Sequence, residues 1–382
     1  MDKILGMKFV IAPDKFKNSL TAFEFCEAVS RGILAVIPDA EIIRCPLADG
    51  GDGTLEVINY YLQAERIITE VSDPFFKKIQ ASYLYNPKLK IAYIEMAEAS
   101  GLKVLGNRSP NCIKATSLGT GELIKHALGQ GAKEIILGIG GSACNDAGMG
   151  IAQALGYEFL NKEGEKLLPI GENLSSVSDV IVEKVFPDLS EIKFLIACDV
   201  NNPFYGKNGA AQTYAAQKGA TPKEIEILDN GLEQFAKILH KKFSIDVQQV
   251  AGAGAAGGVG GGALCFLNGK LLPGIDLILK LANFKEIISD ADYIITGEGL
   301  LDSQTLSGKT IKGIVECSKL HNIPVIALCG SSQLNEEDQE KLGLTSVFCI
   351  QKGVTDLQSA MKNAFTNVTY TTFNLMKLLN SP

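Results

Sequence analysis

The sequence predicts an α/β protein of two domains: a discontinuous, Rossmann-like parallel α/β domain and an inserted mixed α/β domain, with the active site in the interdomain cleft. Three observations predict it. Both ends of the chain alternate short β-branched runs with amphipathic helical stretches, the rhythm of right-handed β-α-β units. From Arg66 to Met96 that rhythm gives way to alternating strands with hairpin-like polar breaks, as in a mixed sheet. The chain's 382 residues are also long for one domain. The expected boundaries are 1–70 and 286–382 for the discontinuous domain and 71–285 for the insert.

Lys8 to Ala12, β-branched and aromatic, reads as a buried parallel strand ending in the polar loop Pro13-Asp14-Lys15-Phe16-Lys17-Asn18-Ser19. Thr21 and Glu24 carry a capping-box signature, after which Phe25, Val29, Ile33 and Val36 keep helical spacing as far as Pro38. Glu41 to Cys45 is the next strand, followed by Pro46-Leu47-Ala48-Asp49-Gly50-Gly51-Asp52-Gly53-Thr54 and a helix through Leu62. In the hairpin region Asn86-Pro87 marks a turn. A helix over Gly121–Leu128 and a strand over Glu134–Ile139 come next. The loop Gly140-Gly141-Ser142-Ala143-Cys144-Asn145-Asp146 then leads into a helix to Leu155.

Strand Phe194–Ala197 ends in Cys198-Asp199-Val200-Asn201-Asn202-Pro203. Ala251 to Gly262 is the most permissive backbone in the chain, suited either to a lid or hinge or to a tightly packed helix entry. The βα rhythm then returns with strand Tyr293–Ile295, a helix from Lys309, and strands Pro324–Leu328 and Ser346–Ile350. A closing amphipathic helix places Leu357, Met361, Phe365, Val368, Leu375 and Leu379 on one face.

Composition removes several function classes. At 46% hydrophobic and 21% charged the chain can bury a full core. A net charge of -7 argues against a nucleic-acid partner, but not against one small anionic substrate held by local lysines. The nine cysteines form no C-x-x-C pair and the three histidines lie far apart, so neither a zinc site nor a disulfide framework is expected. There is no signal-peptide h-region and no apolar run of membrane length, so the expectation is a cytoplasmic protein with no membrane partner. The sequence leaves oligomeric state open, a homodimer included.

Five loops share one vocabulary of small residues, Asp or Asn, and occasional lysine, each just after a strand. They begin at Pro13, Leu47, Gly140, Asp199 and Gly297. One such loop is an ordinary βα connection; five together favour a site for a polyanion and its metal, because α/β sheets gather their chemistry at strand carboxyl ends. Gly140-Gly141-Ser142 before a helix can present free amides to an anion, with tight helix–strand packing as the competing reading. Asp199 suits a metal ligand or general base, or a turn acid satisfied by its neighbours. Glu298 and Asp302, close to Gln304 and Lys309, need a cation or donors if buried. Gly308-Lys309-Thr310 suggests a Walker A loop, but Ser303 stands where its first glycine belongs. The dinucleotide fingerprint and the hydrolase nucleophile elbow are both absent.

Taken in order, these loops resemble the type 1 glycerate kinase family over essentially the whole chain. The likeness also uses Ala215-Ala216-Gln217-Lys218-Gly219-Ala220, Gly252-Ala253-Gly254-Ala255-Ala256-Gly257-Gly258, and Thr296-Gly297-Glu298-Gly299 through Asp302-Ser303-Gln304-Thr305. The resemblance implies ATP- and Mg²⁺-dependent phosphorylation of D-glycerate, with 2-phosphoglycerate favoured over 3-phosphoglycerate. Asp52 stands where glutamate is more usual, and Cys144 replaces a common threonine.

Loop chemistry then assigns roles as expectations. Asp199 or Asp302 is the base, and Lys309 meets the transferring group. Lys15 and Lys17, with Asp14 and Asn201, bind the acid. Gly140, Gly141, Ser142, Asn145, Gly297, Gly299 and Gln304 bind ATP, and Asp49, Asp52 and Glu298 lie near the metal. A kinase for another hydroxy or sugar acid, or a non-catalytic nucleotide or sugar-acid sensor on the same fold, are the competing functions.

Overall fold

In chain order the strands are β1 (Lys8–Ile11), β2 (Glu41–Arg44), β3 (Glu65–Ser72), β4 (Lys78–Asn86), β5 (Ile91–Glu95), β6 (Glu134–Gly138), β7 (Glu158–Leu160), β8 (Asp179–Ile181), β9 (Lys193–Ala197), β10 (Lys270–Leu272), β11 (Tyr293–Leu301), β12 (Val325–Ser332) and β13 (Ser346–Cys349). They come from a computed structural model that describes residues 6–48, 53–183, 185, 189–302, 305 and 309–381. The chain divides into two compact units, Met1–Tyr61 with Gly274–Pro382, and Leu62–Pro273.

The first unit is a five-stranded sheet in the order β13-β12-β11-β1-β2, parallel at every pairing. Phe9, Val10 and Ile11 of β1 are wholly buried, as expected of a central parallel strand covered on both faces. Helix Ala22–Leu34 begins at the predicted capping box, with Thr21 and Glu24 satisfying each other's backbone amides. It crosses helix Ala364–Leu379 at Gly32, where an added Cβ would lie 2.6 Å from the Thr372 Cβ. From the adjacent pair β1 and β11 the chain proceeds to β2 towards one edge and to β12 towards the other, so a switch point falls between these neighbours. Crevices for ligands open at such points, outside the strand carboxyl ends.

The second unit carries a six-stranded sheet in the order β10-β9-β6-β5-β4-β3. β10, β9, β6 and β5 run parallel, while β4 and β3 are antiparallel additions. The parallel and mixed sheets are those the sequence predicts. At the predicted turn, the Asn86 side-chain oxygen accepts from the amides of Lys88 and Leu89. Helix Pro222–Phe243 repeats the Thr221/Glu224 capping box and packs Leu228, Leu232, Phe235 and Leu239 inward. No helix among the described residues is long and apolar enough to cross a membrane.

Three expectations need correction. Strand β11 does not stop at Ile295; it continues through Gly297-Glu298-Gly299 to Leu301, because β12 pairs with it along that length, Glu298 opposite Cys329 and Leu301 opposite Ser332. The helix after the Gly140 loop starts only at Met149 and is six residues long. The closing helix is two helices, Leu357–Lys362 and Ala364–Leu379, broken at Asn363. Asp356 caps the first by accepting from the Ser359 amide, and Leu357, at 75% exposure, lies off the buried face.

Candidate active site

In the first unit the loop after β1 is fixed before any ligand arrives. Phe16 and Leu20 exchange backbone hydrogen bonds around a turn in which Asn18 has φ 58°. Asp14, 7% exposed, donates its amide to the Gly297 carbonyl. Its carboxylate accepts from the Lys15 amide at 2.7 Å and from the Thr310 hydroxyl at 2.9 Å. Asp14 therefore sits at the opening turn of helix Lys309–Lys319, where a negative charge is favoured by the exposed amides.

Gly297 has a packing reason to be glycine: a Cβ there would lie 2.4 Å from the Phe25 ring. Gly299 runs beside the β1 loop, its Cβ position 3.6 Å from the Lys17 amide nitrogen. Glu298 and Asp302 are half-buried and meet at Thr305. The Thr305 hydroxyl lies 3.4 Å from Glu298 Oε2, and the Thr305 amide donates to Asp302. Lys15 is half-buried and Lys17 exposed. This crevice thus gathers Asp14, Lys15, Lys17, Glu298 and Asp302 in one unit. Asp49, Asp52 and Gln304 lie outside the described residues, as does the side chain of Lys309.

In the second unit the loop from Ile139 to Gly148 leaves β6, and the Asp199 loop leaves the neighbouring β9. Gly138 and Ala197, the last residues of the two strands, are register partners, so the loops start side by side. The Gly140 loop is tied down by Leu102, whose amide donates to the Gly141 carbonyl, and by Ala143, whose amide donates to Ser100. Gly141 has φ +70°, while Gly140 is exposed with nothing within 4 Å of an added Cβ. Asp199 is half-buried and Asn201 exposed.

The following amides are not presented to an incoming anion. The Asp146 carboxylate, wholly buried, accepts from the amides of Ser117, Gly148 and Gly150 and from the Ser117 hydroxyl. The carboxylate pins helix Met149–Ala154 to the turn before helix Leu118–Gly129. Burial pushes its pKa up, with the Ser117 donors pulling back.

The glycine run resolves as packing. Cβ atoms at Gly254, Gly257 and Gly262 would meet the carbonyl oxygens of Pro203, Cys144 and Ala147 at 2.1, 2.4 and 2.1 Å. Helix Ala255–Phe266 therefore lies directly against the loop that carries Ser142 and Asn145. Ala256, Gly257 and Gly258 have left-handed dihedrals, which the two glycines adopt at little cost.

Two side chains here stand out chemically. Asn145 is 0% exposed, and neither its amide nitrogen nor its oxygen has a hydrogen-bond partner. Lys218, 3% exposed, donates from Nζ to Ser142 Oγ at 2.7 Å and to the Cys144 carbonyl at 2.8 Å. Burial pulls its ammonium below the ordinary lysine value, opposed by Cys144, Cys112 and Asp146. Sequence reasoning quoted the segment around Lys218 but gave it no role; a lone lysine among Ala and Gly was the available signal. It also missed Asp146, which is indistinguishable in sequence from a loop acid.

Comparison with known proteins gives one consistent result. The model of the Glycerate kinase family matches residues 9–380. A glycerate kinase of Halalkalibacterium halodurans is 42% identical over 353 residues, 92% of this chain and 93% of that protein. Glycerate 2-kinase of Escherichia coli is 38% identical over 373 residues, 98% of each chain. A crystal structure assigned as glycerate kinase 2 from Salmonella typhimurium LT2 superposes with a TM-score of 0.86 at 39% identity, covering 98% of both chains.

Proposed function

The chain belongs to the glycerate kinase family, and we propose that it transfers the terminal phosphoryl group of ATP to D-glycerate, yielding 2-phosphoglycerate. The observation that carries the reading is the end-to-end likeness to a glycerate 2-kinase, which also favours the 2-isomer. Phosphoryl transfer asks little covalent chemistry of the protein. It asks for alignment, charge neutralisation and a group to take the hydroxyl proton.

The residues fit that demand. Asp199 or Asp302 accepts the proton from the acceptor hydroxyl. Lys15 and Lys17 with Asp14 in the first unit, and the Gly140–Asn145 loop with Asn201 in the second, bind the two anionic substrates. Gly297, Gly299 and Gln304 take the role of binding the nucleotide, and Lys309 that of meeting the transferring group. Mg²⁺ is compatible with the acids present. Among the described residues no three His, Cys, Asp or Glu side chains form a cage. Mg²⁺ needs none, since it keeps waters and takes one or two carboxylates plus phosphate oxygens. Glu298 would supply a carboxylate, with Asp49 and Asp52, and the bound ion would neutralise phosphate charge. A cytoplasmic location agrees with nine cysteines that are all free thiols.

The test is ADP release from ATP with D-glycerate, L-glycerate, tartronate or glycerol as acceptor. D-glycerate should be preferred, and ligand-induced stabilisation without ADP release would favour a sensor instead. Asp199→Asn and Asp302→Asn locate the base, whose loss costs about 10²–10⁴-fold in kcat. Near wild-type rates in both would refute the assignment.

A further inference from the structure

We propose that Lys218, Ser142 and Asn145 form the anchor for the hydroxy acid itself, Lys218 taking its carboxylate and Asn145 spanning carboxylate and hydroxyl. This rests on the proposed glycerate kinase activity and decides which anionic substrate the second unit holds.

Two independent observations converge. A buried lysine ammonium carries three donors, and two are spent on neutral oxygens, Ser142 Oγ and the Cys144 carbonyl. Both of its hydrogen-bond partners among the described residues are neutral oxygens, although buried cations are normally paired with a carboxylate. Asn145 follows Cys144 directly, and its side chain is buried with both ends unsatisfied. Buried amides that lack every partner are rare in folded proteins and point to a missing ligand or water. The loop and the Lys218 side chain that donates to it therefore offer together a spare cationic donor, a spare amide donor and a spare amide acceptor.

The acceptor decides between ligand classes. Asn145 Oδ1 needs a donor, and a phosphate chain near neutral pH brings acceptors almost exclusively. A hydroxy acid brings both: carboxylate oxygens for Lys218 and the Asn145 amide, and a hydroxyl that donates to Oδ1. A single lysine donor also suits one carboxylate better than the several charges of a triphosphate. Asp199 leaves the strand next to β6, so a hydroxyl bound at this loop has an acid close by in the chain's topology. The exposed edge of this loop is Gly140–Gly141, while Ser142, Asn145 and Lys218 are themselves enclosed. Lys15 and Lys17 are then left for the nucleotide phosphates.

The experiment is titration calorimetry on the full-length protein with D-glycerate, its uncharged amide D-glyceramide and ATP-Mg²⁺, alongside steady-state kinetics. In Lys218→Met the Kd for D-glycerate should rise about 10- to 100-fold, the usual weight of a charge-assisted hydrogen bond. The Kd for D-glyceramide should move far less, and that for ATP should stay within about threefold. Lys218→Arg should recover part of the preference for acid over amide. A merely structural lysine would weaken all three ligands together, and that result overturns the proposal, as does a loss confined to ATP. Asn145→Asp serves where Lys218→Met does not fold: a carboxylate there should repel the acid and spare the amide, and equal binding of both refutes the anchor. If the wild type binds D-glycerate through Lys218 but releases no ADP, the activity reading fails while the anchor stands. An active wild type with unchanged D-glycerate binding in Lys218→Met rejects the anchor alone.

Discussion

Replacing Gly262 by alanine sets helix propensity against packing at one position. In helix Ala255–Phe266 the substitution gains about 1 kcal/mol of intrinsic propensity. The new Cβ, however, would lie 2.1 Å from the Ala147 carbonyl oxygen and 3.0 Å from its carbon. Both atoms are backbone and cannot swing aside as a side chain can, so the loop or the helix must move. Overpacking of this kind costs about 1–3 kcal/mol and sometimes more. The carbonyl contact sits well inside the van der Waals limit, so the upper part of that range applies and packing wins. For a domain of this size each kcal/mol lowers Tm by about 2–4 °C. Gly262→Ala should therefore melt several degrees lower by calorimetry and lose activity, because Ala147 belongs to the loop carrying Ser142 and Asn145. Gly140→Ala is the counterpart. Its Cβ meets nothing within 4 Å, so stability should hold while ligand approach at the exposed edge suffers. A Gly262→Ala protein that melts at or above the wild-type temperature would refute the reasoning.

Three further outcomes follow from the same contacts. Thr310→Val removes the hydroxyl that donates to Asp14, and urea unfolding should show a loss of about 1.5–3 kcal/mol, the range for hydrogen bonds to charged groups. Lys218 has a folded pKa below the unfolded 10.5, so the unfolded chain binds more protons between the two values. Stability should rise with pH through that window. The advantage of wild type over Lys218→Met in urea midpoint should accordingly grow as pH approaches 10.5, and a constant difference would contradict the shift. Cys349 is the single exposed cysteine, with its sulfur 3.7 Å from that of buried Cys329. A thiol reagent under native conditions should label one cysteine rapidly, and Cys349→Ser should abolish that fast phase.

What the sequence made legible was whatever local chemistry decides. The capping box at Thr21 and Glu24, the Asn86 turn and the parallel strands flanking both ends of the chain are short-range patterns, and each appears in place. What it hid depends on partners far along the chain. Gly297 and Gly299 read as loop residues, yet β12 holds them in an extended strand and Phe25 requires the first to lack a side chain. The glycine run around Gly257 left lid and packing undecided until the carbonyls of Cys144, Ala147 and Pro203 lay against it. Asp146 carries no local signature, and Lys218 only its isolation among Ala and Gly. Their importance comes from burial, and burial is set by Ser117, Gly148, Ser142 and Cys144 arriving from separate segments.

The central claim is transfer of phosphate from ATP to D-glycerate at its 2-hydroxyl. Incubation with D-glycerate and ATP-Mg²⁺, with the product passed to enolase, tests it most directly. Immediate formation of phosphoenolpyruvate without phosphoglycerate mutase is the predicted result. A strict requirement for the mutase would contradict the 2-isomer, and no D-glycerate-dependent ADP release would contradict the kinase activity itself.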